Sequence, residues 1–149
     1  MTDLSLNSKI IFHTAFPIKS IEETKEFYIN GLGCTAGREN SASIILNLAG
    51  HQLVGHLSKQ EFILPKSIYP RHFGLIFTEE DDWDKLLERA KTNNLTFFET
   101  EKTRFAGKIT EHKTFFLQDP AFNLLEFKFY AHPEAVFENI GLTEIGDTK

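Results

Sequence analysis

The sequence predicts an α+β fold in which two βαβββ modules form a curved mixed sheet. Two observations predict it. Each half of the chain has the same order of elements, a strand, a helix and three further strands. Sliding the chain by 59 residues also places His72 on His13 and overlays the two helices, although sequence identity between the halves is negligible. This repeat indicates two similar modules related by a pseudo-twofold axis.

The first module is predicted over about residues 9–59. Residues 10–18 form an apolar strand, and Ser20 followed by Glu23 has the spacing of a capping box at the start of a helix. The helix has one apolar face, and glycines from Gly31 onward are expected to end it. Three short strands follow, over about 34–39, 43–48 and 51–57, with a tight turn at Ala49-Gly50.

The second module is predicted over about residues 71–131, after a connector over about 60–70 that contains two prolines. A strand over 71–78 leads into a helix over 79–94, whose first turn is acidic. Three strands complete the module, over about 95–105, 113–118 and 122–130, and a tail covers 132–149. We expect the whole chain, 1–149, to be a single domain.

Composition limits the function classes. With 41% hydrophobic residues and 15 Phe among 149 residues, the chain can bury a core. Its net charge of −5 argues against a nucleic-acid partner, and it lacks a membrane-length apolar run or a signal-peptide core. The single cysteine, Cys34, excludes an internal disulfide and is expected to be a small buried side chain, with a nucleophile as the alternative. We therefore expect a cytoplasmic protein.

Three polar side chains lie at matching places in apolar strands. Because strand residues alternate between faces, His13 lies with Ala15, and His72 lies with Gly74, on the less apolar faces of their strands. We interpret the two small residues as space beside the histidines. Glu126 lies on the corresponding face of the last strand, where a buried carboxylate needs a cation or a metal.

Two histidines and one carboxylate with open positions form a site for Fe(II), Mn(II) or a similar ion. We therefore predict a central metal cavity with His13, His72 and Glu126 as ligands and His56 as a possible fourth. The alternative is purely structural: a strand histidine is more often a core or rim residue, and Lys128 could neutralise Glu126.

Other polar residues carry less specific signals. His112 either points into the cavity or flanks it. Arg104 and Lys108 could contact an anionic substrate, but a solvated strand edge is the favoured interpretation. Phosphate-binding glycine loops and serine-hydrolase motifs are missing from the sequence.

The chain resembles the vicinal-oxygen-chelate superfamily, which includes glyoxalase I, bleomycin- and fosfomycin-resistance proteins and extradiol dioxygenases. The resemblance covers residues 10 to about 130, and its most specific motif is the ending D-P-x-x-N-x-x-E-F. Within the superfamily, the chain is most similar to small bacterial proteins described as extradiol-type dioxygenases. The matching segments are FHTAFPIKSIEETKEFYINGLG, GHQLVGHL, YPRHFGLIF and FFLQDPAFNLLEFK.

The resemblance implies a metal bound by His13, His72 and Glu126, and a homodimer that acts on a small molecule. His56 would be a fourth ligand in a glyoxalase or an acid–base group in an extradiol enzyme, with His112 and Tyr130 as supporting catalytic residues. The sequence departs from the extradiol pattern in three places, which carry Phe116 for a tyrosine, Gly107 for a histidine and Phe122 for a glycine.

The leading hypothesis is a dioxygenase that binds Fe(II) and a substrate with vicinal oxygens. The first alternative is a glyoxalase-like isomerase or lyase that uses Ni, Zn or Mn. The second is a binding protein of the resistance type that sequesters a small molecule without chemistry. Since this fold hosts all three activities, the fold does not choose among them.

Overall fold

The computed structural model describes residues 9–147, and the chain divides into two compact units. One unit ends at Phe62 and the other begins at Ile63, within the predicted connector. Each unit contains one four-stranded mixed sheet. In the described part of the chain, no helix is long and apolar enough to cross a membrane.

The first unit has the predicted βαβββ order. Its sheet has the strand order β1-β4-β3-β2, with β1 parallel to β4 and the other pairs antiparallel. The hairpin between β3 and β4 turns at Ala49 and Gly50, which both have positive φ angles, as predicted for a tight turn. Its elements are β1 (His13–Ile18), α1 (Ile21–Lys25), a π-helical segment (Glu26–Gly31), β2 (Thr35–Glu39), β3 (Ser43–Leu48) and β4 (His51–Leu57).

The second unit repeats this topology. Its sheet has the order β5-β8-β7-β6, again with only the first pair parallel. The two identical strand orders confirm the paired modules that the 59-residue repeat predicts. The elements are β5 (Phe73–Phe77), α2 (Glu80–Thr92), β6 (Phe97–Arg104), β7 (His112–Gln118), β8 (Leu124–Tyr130) and a 3₁₀ turn (Pro133–Val136).

The first helix differs from the prediction of a single α-helix. Ser20 caps it as predicted, since its Oγ accepts a hydrogen bond from the Glu23 N–H at 3.0 Å. The α-helical part nevertheless ends at Lys25 and widens into the π-helical segment. The wider turn brings the consecutive Phe27 and Tyr28 side chains into the core, where Tyr28 stacks on Phe16 with ring centroids 5.5 Å apart. A regular α-helix would turn one of the two rings further towards solvent.

The apolar face of the second sheet packs against α2, as the strand pattern predicts. Trp83 lies edge-on to Phe115 with centroids 5.3 Å apart, and its Nε1–H donates to the Phe127 carbonyl at 2.8 Å. The opposite face of β8, which carries Glu126, is therefore left for polar side chains and a ligand. Cys34 in the first unit is buried, as expected.

The interpretation of Gly74 as space beside His72 is wrong. Gly74 pairs with Glu126 across β5 and β8, and a Cβ at Gly74 would lie 1.6 Å from the carbonyl oxygen of Glu126. The glycine therefore allows two backbones to approach and does not leave an opening for a ligand.

Gly74→Ala is expected to destabilise the protein by more than about 3 kcal/mol, because β5 must move away from β8. Gly141→Ala is the matched control, since a Cβ there meets no atom within 4 Å. Urea unfolding of both variants measures the difference. Equal free energies of unfolding for the two variants would contradict the close approach.

Candidate metal centre

The centre of the candidate site is a contact between His72 and Glu126 in the second unit. The Nε2 atom of His72 lies 3.0 Å from Oε1 of Glu126. The Nδ1 atom of His72 lies 2.7 Å from the Ile68 carbonyl oxygen, which can only accept, so Nδ1 carries a hydrogen. The backbone contact therefore fixes the ring with Nε2 directed at the carboxylate.

The second oxygen of Glu126 is held by other residues. Oε2 accepts hydrogen bonds from Thr114 Oγ1 at 2.6 Å and from an Arg104 guanidinium nitrogen at 3.2 Å. Glu126 is only 6% exposed. Although this burial raises its pKa, hydrogen bonds from His72 and Thr114 and the charges of Lys128 and Arg104 outweigh it, so the pKa is lowered. Glu126 is thus an ionised carboxylate inside the fold.

Arg104 is the permanent cation in direct contact with Glu126, whereas Lys128 acts on the carboxylate only through its charge. The Lys128 Nζ atom lies over the Tyr130 ring, 5.0 Å from its centroid, instead of contacting the carboxylate. The favoured interpretation of Arg104 as a solvated edge residue is wrong, because Arg104 is 5% exposed. Lys108, by contrast, lies over the Phe105 ring. The sequence signal for Arg104 was the buried carboxylate of Glu126, which required a cation from another strand of the sheet.

These residues fit a divalent metal. Two ligand atoms at right angles, each about 2.1 Å from one ion, are about 3.0 Å apart, which is the separation of His72 Nε2 and Glu126 Oε1. The histidine has its other ring nitrogen bound to a backbone carbonyl, and the carboxylate is hydrogen-bonded at its other oxygen. Such outer contacts orient ligands in metal sites. Without an ion, a proton on Nε2 fills the same place, and the hydrogen bond to Glu126 raises the pKa of His72.

His112 and Tyr130 lie together four residues along β7 and β8 from Phe116 and Glu126, with ring centroids 4.8 Å apart. The Nδ1–H of His112 donates to the Thr110 carbonyl at 3.0 Å, while its Nε2 is buried without a hydrogen-bond partner. Both rings line a cavity of about 450 Å³ that the C-terminal tail, from Ala135 to Gly146, also lines. The arrangement leaves an acceptor nitrogen for a ligand in this cavity.

Burial lowers the pKa of His112, so the neutral form is favoured in the folded state. The unfolded chain binds a proton near pH 6.5, so the stabilisation is complete above that pH and is lost progressively as the pH falls from there through the lowered pKa of the folded state. We expect the free energy of unfolding to fall between pH 7 and 5 more steeply for the natural protein than for His112→Phe, by at most about 1.4 kcal/mol per pH unit. Urea unfolding at a series of pH values measures this slope, and parallel curves would contradict it.

In the first unit, the two predicted histidines have separate partners. The Nδ1 of His13 donates to Oε1 of Gln52 at 2.8 Å, and the Nδ1 of His56 lies 2.7 Å from Ser43 Oγ. β1 pairs His13 with Gln52 and Pro17 with His56, so the two histidines are offset by four register positions, about 13 Å along the strands. The Nε2 atom of each ring takes no part in these two contacts.

The pairing registers of the two units identify the counterpart of Glu126. In the second unit, Gly74, two residues after His72, pairs with Glu126. In the first unit, the residue two positions after His13 pairs with Val54. The first unit therefore has a valine where the second has its carboxylate, and His56 lies two residues further along the strand.

One contact was not anticipated from the sequence. The carboxylate of Asp147, in the C-terminal tail, lies 2.7 Å from Nε and 3.2 Å from Nη2 of Arg104. Tyr69 Oη donates to the same carboxylate at 3.2 Å, and Lys102 Nζ lies 3.4 Å from it. These residues extend the site from Glu126 towards the tail. Within residues 9–147, no three His, Cys, Asp or Glu side chains are grouped as ligands of one ion.

A family model, the glyoxalase/bleomycin resistance protein/dioxygenase superfamily, matches residues 10–127. The chain is 40% identical to a glyoxalase/bleomycin resistance protein/dioxygenase from Alicyclobacillus acidocaldarius, with a TM-score of 0.83, over 88% of this chain and 98% of that one. A comparison with curated proteins finds no match.

Two more distant structures share the fold. The fosfomycin resistance protein FosX from Listeria monocytogenes is 17% identical, with a TM-score of 0.66, over 91% of this chain and 98% of that one. Lactoylglutathione lyase from Agrobacterium tumefaciens is 15% identical, with a TM-score of 0.62, over 80% and 92%. Because the family model covers residues 10–127 and the Alicyclobacillus acidocaldarius protein is 40% identical, the chain belongs to the glyoxalase/bleomycin resistance protein/dioxygenase superfamily.

Proposed function

We propose that the protein is a divalent-metal-dependent enzyme of the dioxygenase type, acting on a small substrate with vicinal oxygens. The superfamily contains enzymes and resistance proteins, and its members typically bind a divalent metal. The observation that carries the proposal is the contact between His72 Nε2 and Glu126 Oε1, at the spacing of two ligands of one ion. In the proposal, His13 is the third ligand and Fe(II) is the metal.

His13 suits this role because Gln52 accepts the hydrogen of its Nδ1, which leaves the Nε2 lone pair for an ion. When bound, Fe(II) would supply a Lewis acid that chelates the two substrate oxygens and a centre that reacts with O₂. The protein itself orients the ligands. Ile68 fixes the His72 ring, and Thr114 holds the carboxylate of Glu126.

Val54 in the first unit favours a metal site with three protein ligands. A glyoxalase-like centre with Ni, Zn or Mn would take a fourth ligand from the last strand of the first module, and the counterpart of Glu126 there is Val54. His56 lies two residues further along and its Nδ1 is bound to Ser43. We therefore assign His56 the acid–base role, in which it takes a proton from a substrate hydroxyl.

A cavity further along β7 and β8 has room for the rest of a substrate. His112 and Tyr130 line it, and in the proposal they contact the part of the substrate that extends away from the metal ligands. The buried Nε2 of His112 would accept a hydrogen bond from a substrate hydroxyl, and Tyr130 Oη would donate one.

Anaerobic reconstitution with Fe(II), followed by O₂ electrode measurements with a panel of catechols, tests the proposal. We expect O₂ uptake with at least one catechol, and His56→Ala is expected to keep its iron while losing turnover. No uptake with any catechol would contradict dioxygenase chemistry. Loss of the metal in His56→Ala would instead indicate the four-ligand isomerase or lyase, and tight binding of the catechol by metal-free protein without turnover would indicate a binding protein.

A further inference from the structure

The carboxylate of Asp147 occupies a cationic position beside Glu126. Arg104 bridges the two acids, because one terminal nitrogen contacts Glu126 Oε2 and the other contacts Asp147 Oδ2, each at 3.2 Å. A single guanidinium therefore places a second carboxylate within a few ångströms of the proposed metal ligand. Lys102 adds a second positive charge at 3.4 Å from Asp147.

Arg104 has the features of a ligand-binding arginine. Its side chain is only 4% exposed, whereas that of Asp147 is 46% exposed. The buried Nε lies 2.7 Å from Asp147 Oδ1 but lacks a properly aligned hydrogen bond. Buried donors in folded proteins are usually paired, so this atom has unused hydrogen-bonding capacity directed at the bound carboxylate. The guanidinium is thus fixed inside the fold, while the acid bound to it comes from the surface.

The tail reaches this position through a close approach to Tyr69. The Asp147 N–H donates to Tyr69 Oη at 2.9 Å, and Tyr69 Oη donates to the Asp147 carboxylate. A Cβ at Gly146 would lie 2.4 Å from Tyr69 Oη, so only glycine permits the approach without a shift. Tyr69 immediately precedes Pro70 and lies near His72, with ring centroids 6.4 Å apart.

Asp147 shares the two cations with two other acids, and it is the most readily exchanged of the three. Glu99 also contributes a negative charge, since its carboxylate lies 4.0 Å from Arg104 and 3.5 Å from Lys102. These contacts are long, and Glu126 is the partner that Arg104 retains in any state of the tail. Asp147 is the one acid that a small molecule can replace without unfolding a strand, because it lies in the tail and is half exposed.

We propose that Arg104, Tyr69 and Lys102 form a carboxylate-binding subsite, and that Asp147 is an internal competitor for it. The inference rests on the proposed function and specifies its substrate class: a small molecule that carries a carboxylate as well as vicinal oxygens. Its carboxylate displaces Asp147 from Arg104 while its vicinal oxygens lie towards His72 and Glu126. An arginine fork matches a carboxylate in shape and charge, which explains why an arginine occupies this position.

The test uses the full-length, metal-free protein and two probes that differ only in a carboxylate, 3,4-dihydroxybenzoate and catechol. Binding is followed by NMR through the Nε–H resonance of Arg104, which reports directly on the proposed contact. Since apparent affinity scales with the fraction of free sites, a tail that occupies the subsite nine-tenths of the time weakens binding about tenfold. Asp147→Asn is therefore expected to bind 3,4-dihydroxybenzoate about tenfold more tightly than the natural protein, with no change for catechol.

Two further variants complete the design. Glu134→Gln removes the same charge from the same tail, and no ion pair is described for Glu134 within residues 9–147; it is expected to leave both affinities unchanged. Tyr69→Phe should weaken binding of the carboxylate probe alone, through the lost hydroxyl. Unchanged affinity in Asp147→Asn, or an equal gain for both probes, would overturn the proposal. Since neither iron nor O₂ takes part, a failure of the dioxygenase assay does not produce either result.

Discussion

His72→Ala is expected to lose divalent-metal binding by at least about 100-fold, because it removes one of two ligand atoms that the fold already holds together. The ring is fixed by the Ile68 carbonyl, and its Nε2 lies 3.0 Å from Glu126. Glu126→Gln is expected to behave similarly, since an amide oxygen is a weaker ligand than a carboxylate. Titration with Co(II), followed by its absorption spectrum, measures the affinity and reports the ligand environment.

The Co(II) titration also uses a control variant and a variant expected to lose only part of the metal affinity. His132→Ala removes a histidine from the exposed start of the tail and should bind Co(II) like the natural protein. Thr114→Val removes the hydrogen bond to the other oxygen of Glu126 and should weaken binding by about 10- to 100-fold while both ligands remain. Circular dichroism establishes that each variant is folded. An unchanged Co(II) affinity in folded His72→Ala would exclude His72 from the metal site.

Local patterns in the sequence predict the helices and strands, and they single out His72 and Glu126. The alternation of side chains placed Glu126 on the polar face of β8, and the repeat identified His72 as the counterpart of His13. Both inferences need only the period of a strand and the order of elements, which are local properties. The sequence also selected His13 and His56 as candidate site residues, and the pairing register then added their four-position offset.

Arg104 and Asp147 could not be found in this way, because their positions depend on irregular pairing and on long-range contacts. β6 has two register shifts against β7, one between Phe97 and Glu99 and one between Glu99 and Lys102. Each shift interrupts the alternation of faces, so counting along β6 does not give the face of Arg104. Asp147 lies 43 residues further along the chain, in a tail without periodicity. Gly74 was misinterpreted for a related reason, since a missing side chain does not reveal what approaches it.

The burial of Arg104 and Glu126 together makes this pair decisive for stability. Arg104→Met is expected to destabilise the protein by about 3–5 kcal/mol, because it leaves the ionised Glu126 carboxylate buried without its arginine. The double variant Arg104→Met/Glu126→Met should recover most of the loss, since two apolar side chains of similar volume leave no charge uncompensated. Urea unfolding of the two single variants and the double variant gives the coupling energy between the residues.

An exposed ion pair on the same unit supplies the comparison. Lys113 contacts Glu80 at 3.1 Å and Asp84 at 3.2 Å, but these side chains are 31–51% exposed. Water and salt screen such pairs, so Lys113→Met is expected to cost no more than about 1 kcal/mol. If Arg104→Met costs as little as Lys113→Met, the Glu126 carboxylate does not depend on the guanidinium. The large difference expected between the two variants follows from burial, because both cations contact more than one acid but only Arg104 is inside the fold.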